Sequence, residues 1–169
     1  AYITFEIETS RAIGRQLLRH RSATFQEFSQ RYAEAVDFES IEMRKQAEKN
    51  RQSSTEVFNP KIQPFLNPIT GEDEGDSFDA QTLIKEYLDD IEGFYKKLLK
   101  AGVAKETARM ILPECTQTKM YMTNNLRNWI HFLQVRDDSH AQKEIQEIAK
   151  EIKEQLREYF PITFKALDF

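Results

Sequence analysis

The fold class is decided near the start of the chain, by the stretch Tyr2-Ile3-Thr4-Phe5-Glu6-Ile7-Glu8. Apolar and polar residues alternate along it, so that Ile3, Phe5 and Ile7 share one face, which is the pattern of a half-buried β-strand. Soon afterwards Ser10 stands where a helix N-cap is expected, and apolar residues recur at helical spacing up to about residue 20. A strand followed by a helix, without regular βαβ alternation later, predicts an α+β fold.

The remaining periodicity extends this prediction along the chain. In residues 84–98, apolar residues recur at intervals of three and four positions. This spacing predicts a long amphipathic helix that packs on the core and ends near Gly102. Further helices are expected at 104–111 and 125–134, a strand at 119–123, and a polar helix at 39–53. The expected sheet is mixed or antiparallel and packs with long amphipathic helices.

The last helix and the longest loop also have clear signals. Ile145, Ile148, Ile152, Leu156 and Tyr159 recur at helical spacing and are expected to form one buried stripe. Between these patterns and the N-terminal elements, prolines and glycines punctuate residues 57–77, which predicts a loop.

Composition bounds the class of protein. The chain has 169 residues, 40% of them hydrophobic, which suits one globular domain with a core. A formal charge of -4 gives no electrostatic reason to expect nucleic-acid or membrane binding, and a single cysteine excludes a disulfide scaffold. A cytoplasmic protein is expected. Because Ala1 falls directly against the first strand pattern, we also expect that an N-terminal segment precedes this domain.

Basic and amide side chains are concentrated after the first helix. Gln16 and Arg19 are three residues apart, so a helix presents them as neighbours, and a dense run of hydrogen-bonding groups extends from there to Arg31. Such a run suits phosphate oxygens and the polar edges of a base. It is also compatible with an ordinary solvated charged face.

A second polar cluster lies between Arg109 and His140. It sets Asn125, Arg127, His131 and Arg136 among apolar residues, where a guanidinium is costly unless it meets an anion. Partner carboxylates such as Asp137 or Glu27 could satisfy these arginines within the chain. A ligand site is the alternative interpretation.

Taken together, the two clusters resemble a known family. The pattern Arg19-His20-Arg21, seven residues and then Ser29 resembles the signature of flavin-dependent thymidylate synthases, and Gln30-Arg31-Tyr32 continues it. The stretch from Phe132 through Arg136 to Gln142 is similar to the C-terminal half of that family. The resemblance covers about residues 1–35 and 100–165.

The resemblance implies an FAD site and a dUMP site. The positions that match FAD contacts are Arg19, His20, Arg21, Glu27, Asn125, Leu126, Arg127 and His131. Those that match dUMP contacts are Gln16, Arg19, Glu27, Phe28, Ser29, Gln30, Arg31, Arg109 and Arg136. Arg136 matches the residue that activates the pyrimidine, since a fixed guanidinium stabilises the negative charge that develops on the ring.

The resemblance also implies partners. It predicts methylenetetrahydrofolate as carbon donor, NADPH as the reductant of FAD, and a homotetramer whose active sites draw on several subunits. Gln26 and His131 stand where many or some members carry asparagine, and both keep hydrogen-bonding capacity.

Two other kinds of chemistry find little support. Cys115, the only cysteine, has no arginine or histidine beside it in sequence to lower the pKa of its thiol, so an inert thiol is expected. The three histidines lack paired short spacings, so no metal site is expected. The rival to the enzyme is a non-catalytic nucleotide- or RNA-binding module that uses the Arg19–Arg31 cluster for phosphate alone.

Overall fold

A computed structural model describes residues 1–29, 36–50 and 53–168. It contains both helices and strands, and all the strand pairs that it describes are antiparallel, so the predicted α+β class is confirmed. In chain order they are β1 (Tyr2–Ser10), α1 (Arg11–Leu17), β2 (Thr24–Glu27), β3 (Arg44–Gln46), β4 (Ser54–Val57), β5 (Lys61–Ile62), β6 (Phe65–Leu66), β7 (Asp73–Glu74), β8 (Phe78–Asp79), α2 (Ala80–Lys100), α3 (Lys105–Ala108), β9 (Gln117–Asn125), α4 (Leu126–Arg136), α5 (Lys143–Tyr159) and α6 (Pro161–Ala166), with a 3-10 turn at Arg109–Ile111.

The chain groups into two compact units, Ala1–Phe28 with Gln117–Phe169, and Ser29–Thr116. Nothing in this grouping tests whether they are one folding domain, so the single domain remains a prediction. Within the described residues, no helix is both long and apolar enough to cross a membrane.

The first unit is built on an antiparallel sheet with the order β1-β9-β2. The alternation predicted for β1 is confirmed, because Ile7 is buried while Glu6 and Glu8 are exposed. On the central strand Met120 and Met122 are fully buried, and they join the apolar faces of α1, α4 and α5 in one core. Gly14 lets α1 lie close to β9, since a Cβ there would be 3.4 Å from the methyl carbon of Met120.

The opposite face of the sheet is polar. The hydroxyl of Tyr121 donates to Glu6, and Lys119 Nζ lies 2.7 Å from a carboxylate oxygen of Glu8. Thr4 and Thr123 share a hydrogen bond of 2.7 Å across the strands. The sheet therefore separates an apolar core face from a hydrated face, as expected for antiparallel strands.

The second unit contains the long helix α2, which begins at the N-cap Asp79. The carboxylate of Asp79 accepts hydrogen bonds from the main-chain N–H of Thr82 at 3.1 Å and from its hydroxyl at 2.8 Å. The first of these bonds satisfies one of the four unpaired main-chain donors of the first turn. The predicted helix and its end beside Gly102 are confirmed; Gly102 has a φ of +88°, the left-handed conformation that terminates helices.

Three details of the sequence predictions are wrong. Residues 39–53 do not form a polar helix: β3 pairs with β4 there, and Gln46 Nε2 donates to the main-chain oxygen of Ser53 at 2.8 Å, closing the turn. That stretch lacks an apolar stripe that could hold a helix on a core. Tyr159 is 74% exposed instead of completing the stripe of α5, and Tyr87 and Phe94 of α2 are half exposed. The predicted loop 57–77 contains the short strands β5, β6 and β7.

Candidate active site

Both polar clusters of the sequence contribute to one place in the first unit. The helix α1 ends at Leu17 and a turn follows that carries Arg19, His20 and Arg21 before β2 begins. The helix α4 starts directly at the end of β9 and carries Arg127, His131 and Arg136. Because α1 and α4 both pack on the core face of the sheet, Arg136 meets the turn after α1.

Arg136 is the centre of this arrangement. Its Nε donates to Nε2 of His20 at 2.8 Å, and its Nη2 donates to the main-chain oxygen of Gln16 at 3.2 Å. Nε and Nη2 form one edge of the planar guanidinium, so two bonds fix the orientation of the whole group. The N–H groups of the opposite edge, those of Nη1 and the second N–H of Nη2, make no hydrogen bond to any residue that the structure describes.

The carboxylates proposed from sequence as partners of the arginines are engaged elsewhere. Asp137 pairs with Lys153, whose Nζ lies 2.8 Å from its carboxylate oxygen. Glu27 accepts a hydrogen bond from the hydroxyl of Thr118 at 2.8 Å and lies 3.4 Å from Arg11. Within the described part of the chain, Arg136 therefore has no carboxylate partner, which favours the interpretation as an anion or polar ligand site.

Burial changes the protonation of this cluster. Burial, with smaller contributions from the neighbouring Arg136 and His131, lowers the pKa of His20 to about 4. His20 is consequently neutral at physiological pH, and its Nε2 lone pair is free to accept from Arg136, which places the ring proton on Nδ1. The ring edge of His20 also packs on Phe132, with the centroids 4.9 Å apart.

The pKa of Arg136 is lowered first by burial and then by the charge of Arg19. Arginine nonetheless remains protonated in proteins, so the cluster carries two neighbouring positive charges. Partly buried cations close together are unfavourable alone and are stabilised by a bound anion. This is the electrostatic setting that a phosphorylated ligand would use.

The other residues matched to FAD contacts lie around this centre. Asn125 is the N-cap of α4 and accepts a hydrogen bond from the main-chain N–H of Asn128 at 2.9 Å, while Leu126 is half buried at the first position of the helix. The side chains of Arg19, Arg21 and Arg127 are exposed, and none forms a hydrogen bond or ion pair with a described residue.

The residues matched to dUMP contacts are divided between the two units. Gln16, Glu27 and Phe28 belong to the first unit, and Phe28 is 58% exposed. Ser29 and Arg109 belong to the second, where Arg109 Nε donates to the main-chain oxygen of Glu106 at 3.4 Å. Gln30 and Arg31 lie outside the described residues.

Two contacts were missed by sequence reasoning. Phe132 stands four residues before Arg136 on α4, so helical spacing could have identified it as a neighbour of the same face. Gln142 accepts a hydrogen bond from Gln16 Nε2 at 2.6 Å, although the two residues are 126 positions apart in sequence. No local sequence pattern predicts such a pair.

The described residues favour neither a reactive cysteine thiolate nor a metal-binding site. Burial raises the pKa of the Cys115 thiol and the negative charge of Glu39 adds to that effect, so the thiol form is favoured. Among the residues that the structure describes, no three His, Cys, Asp or Glu side chains are grouped as a metal ion would need.

Comparison with known proteins gives a consistent result. The family model described as thymidylate synthase complementing protein matches residues 1–162. The chain is 40% identical to the flavin-dependent thymidylate synthase of Synechocystis sp. over 99% of its own length and 71% of that protein. It is 39% identical to a probable flavin-dependent thymidylate synthase of Paramecium bursaria Chlorella virus 1, covering all of this chain and 72% of that protein. The corresponding Thermosipho melanesiensis enzyme is 35% identical over 96% of this chain and 66% of its own length.

Proposed function

Since the chain belongs to the family of flavin-dependent thymidylate synthases, we propose that it methylates dUMP to dTMP with a bound FAD. The observation that carries this proposal is the guanidinium of Arg136, which His20 and Gln16 fix along one edge while the other edge remains available. An anchored cation without a carboxylate partner suits a ligand on which negative charge develops.

The residues around this centre fit a flavin dinucleotide. Arg19, Arg21 and Arg127 supply exposed guanidinium groups that pair with none of the residues in the described ranges, and the first N–H groups of α4 add the positive end of a helix dipole. Both features suit a pyrophosphate. Reduced flavin, when bound, supplies the hydride that completes the methyl group.

Arg136 has a defined task in this proposal. C5 of uracil becomes nucleophilic when N3 is polarised or deprotonated, because the negative charge is then shared between the carbonyl oxygens and C5. Two N–H groups on the free edge of the guanidinium can stabilise the charge that develops on a carbonyl oxygen of the base. Because His20 and Gln16 already orient the group, little reorganisation is needed when that charge forms.

The co-substrates and the assembly complete the proposal. Methylenetetrahydrofolate is the carbon donor and NADPH the reductant, as the family resemblance implies. The family resemblance also implies a homotetramer whose active sites are shared between subunits. The single cysteine suits the reducing cytoplasm.

The rival function, a nucleotide- or RNA-binding module without activity, has weaker support. It would use the charge of the Arg19–Arg31 cluster but would give Arg136 no task. Its purified protein would be colourless, whereas a flavoprotein absorbs visible light. The relatives that share most of this chain bear enzyme names, which favours catalysis.

The test is dTMP formation by the purified chain with FAD, dUMP, methylenetetrahydrofolate and NADPH, measured by chromatography. Omitting FAD should abolish the product. Cys115→Ser should retain most of the activity, because the raised pKa of the half-buried thiol makes Cys115 a poor nucleophile. A trapped covalent adduct between Cys115 and the nucleotide would contradict this mechanism.

A further inference from the structure

Gln16 and Gln142 are joined by one hydrogen bond between their side chains, in which Gln16 Nε2 donates to Gln142 Oε1 at 2.6 Å. Both residues have fixed backbones. Gln16 lies next to the fully buried Leu17 in α1. The main-chain oxygen of Gln142 accepts from the N–H groups of Ile145 and Gln146 in the first turn of α5. The hydrogen bond therefore links the ends of two anchored helices.

The two glutamines lie beside the candidate catalytic guanidinium. Arg136 Nη2 is 3.2 Å from the main-chain oxygen of Gln16. Gln142 therefore orients the side-chain amide of a residue whose main chain also helps to fix Arg136.

The pair leaves two polar groups available. Gln16 Oε1 and Gln142 Nε2 make no hydrogen bond with any residue in the described part of the chain. An amide oxygen can only accept hydrogen bonds and an amide nitrogen can only donate them. The hydrogen bond between the two glutamines therefore determines which of these groups Gln16 can offer to a ligand.

We propose that Gln142 is a positioning residue that sets base specificity, by holding Gln16 so that its acceptor oxygen meets the edge of the pyrimidine. This rests on the proposed function, in which Gln16 lines the nucleotide site. Uracil carries a donor N3–H, whereas cytosine carries a lone pair at N3. The Gln16 oxygen pairs with the first and repels the second, so the orientation of one amide favours dUMP over dCMP.

Equilibrium titrations of dUMP and dCMP on the flavin-loaded protein test this proposal. Gln142→Lys offers only donors, so Gln16 must turn its oxygen to the lysine and its nitrogen to the base. The ratio of dUMP to dCMP affinity should then fall about tenfold or more, the effect of losing one hydrogen bond and leaving a group unpaired. Gln142→Glu offers only acceptors, so it should keep the ratio although its charge weakens both nucleotides.

The matched controls are Gln155→Lys and Gln155→Glu, which place the same charges on an exposed position of α5 and should leave the ratio unchanged. An unchanged ratio of dUMP to dCMP affinity in Gln142→Lys overturns the inference. If Gln142→Glu lowers this ratio as much as Gln142→Lys does, the inference is also overturned, because Gln142 then has only a structural role. Absence of dTMP formation contradicts the proposed function instead, because the binding ratio is measured without turnover.

Discussion

At the residue scale, Arg136 carries the sharpest prediction. Arg136→Ala should lower dTMP formation by about 100-fold or more, the scale for removing one group that stabilises developing charge. Bound FAD, followed by its visible absorbance, should remain because Arg19, Arg21 and Arg127 are unchanged. Arg157→Ala on the exposed side of α5 is the matched control. Turnover close to that of the control would contradict the role of Arg136.

His20 gives a pH dependence at the same scale. Burial lowers the pKa of His20 from 6.5 to about 4, so between these values the unfolded chain binds a proton that the folded chain does not. The free energy of unfolding should therefore decrease as pH falls from about 6.5 to about 4, and His20 should add no further loss below that range. Above pH 6.5 its contribution to stability is constant.

Thermal unfolding of His20→Gln measures this contribution. Glutamine cannot titrate, yet its amide oxygen can still accept from Arg136, so its melting temperature should depend less on pH between 4 and 6.5 than that of the unsubstituted chain. His140→Gln, at a side chain that is 81% exposed, should keep the original slope because His20 is still present. Equal slopes in the unsubstituted chain and His20→Gln would show that His20 is not the group responsible.

Sequence reasoning identified Arg136, His20 and Gln16 separately, and the structure brings these three together. The clusters that contain them are more than 100 residues apart, so only the fold shows that Arg136 donates to His20. Gln142 was not identified as a site residue, because its partner Gln16 is distant in sequence and an exposed glutamine before a helix is an ordinary surface residue.

At the element scale, the junction of β9 with α4 combines two adjacent asparagines with opposite roles. Asn124 is 1% exposed and neither polar atom of its side chain has a hydrogen-bond partner among the described residues, whereas Asn125 caps α4. Asn124→Leu should raise the free energy of unfolding by roughly 1–3 kcal/mol, since it removes unsatisfied buried groups while conserving shape.

Asn125→Leu is the neighbouring comparison and should lower stability by about 1 kcal/mol, the usual cost of losing an N-cap. Urea unfolding of both variants measures whether each substitution raises or lowers the free energy of unfolding. A loss of stability in Asn124→Leu would show that this amide meets a partner in solution, such as a buried water or another subunit.

Elements with strong apolar periodicity were predicted well, and those that depend on hydrogen bonding were not. The helices α2, α4 and α5 and the strands β1 and β9 have alternating or three-and-four patterns that report which face is buried. The pairing of β3 with β4 depends on a turn closed by Gln46, which has no periodic signal. Tyr159 followed the apolar spacing of α5 but lies exposed in its last turn, where Phe160 and Phe164 just beyond it pack on the core instead.

At the scale of the whole molecule, the proposed sharing of active sites between subunits predicts complementation between inactive variants. Arg136 and Arg109 match contacts to the same nucleotide but belong to different units of the chain. If one site takes them from different subunits, co-expressed Arg136→Ala and Arg109→Ala chains should form some intact sites and more dTMP than either variant alone. The protein should also sediment as about four chains of 19.9 kDa.

The control for complementation is a mixture of the two purified homotetramers without exchange of subunits, which should stay inactive. A monomeric mass, or co-expressed chains no more active than each variant, would contradict shared sites.

The packing of aromatic rings in the core connects the intrinsic fluorescence of the protein to the candidate FAD site. Trp129, the only tryptophan, packs edge-on against Phe132 at 5.5 Å, and the same Phe132 contacts His20. Emission from Trp129 therefore originates only two ring contacts away from a residue matched to FAD, and oxidised flavins absorb in the range where tryptophan emits. Adding FAD should quench this fluorescence by energy transfer, so cofactor loading can be followed in real time without a label. Emission unchanged by saturating FAD would place the isoalloxazine far from His20.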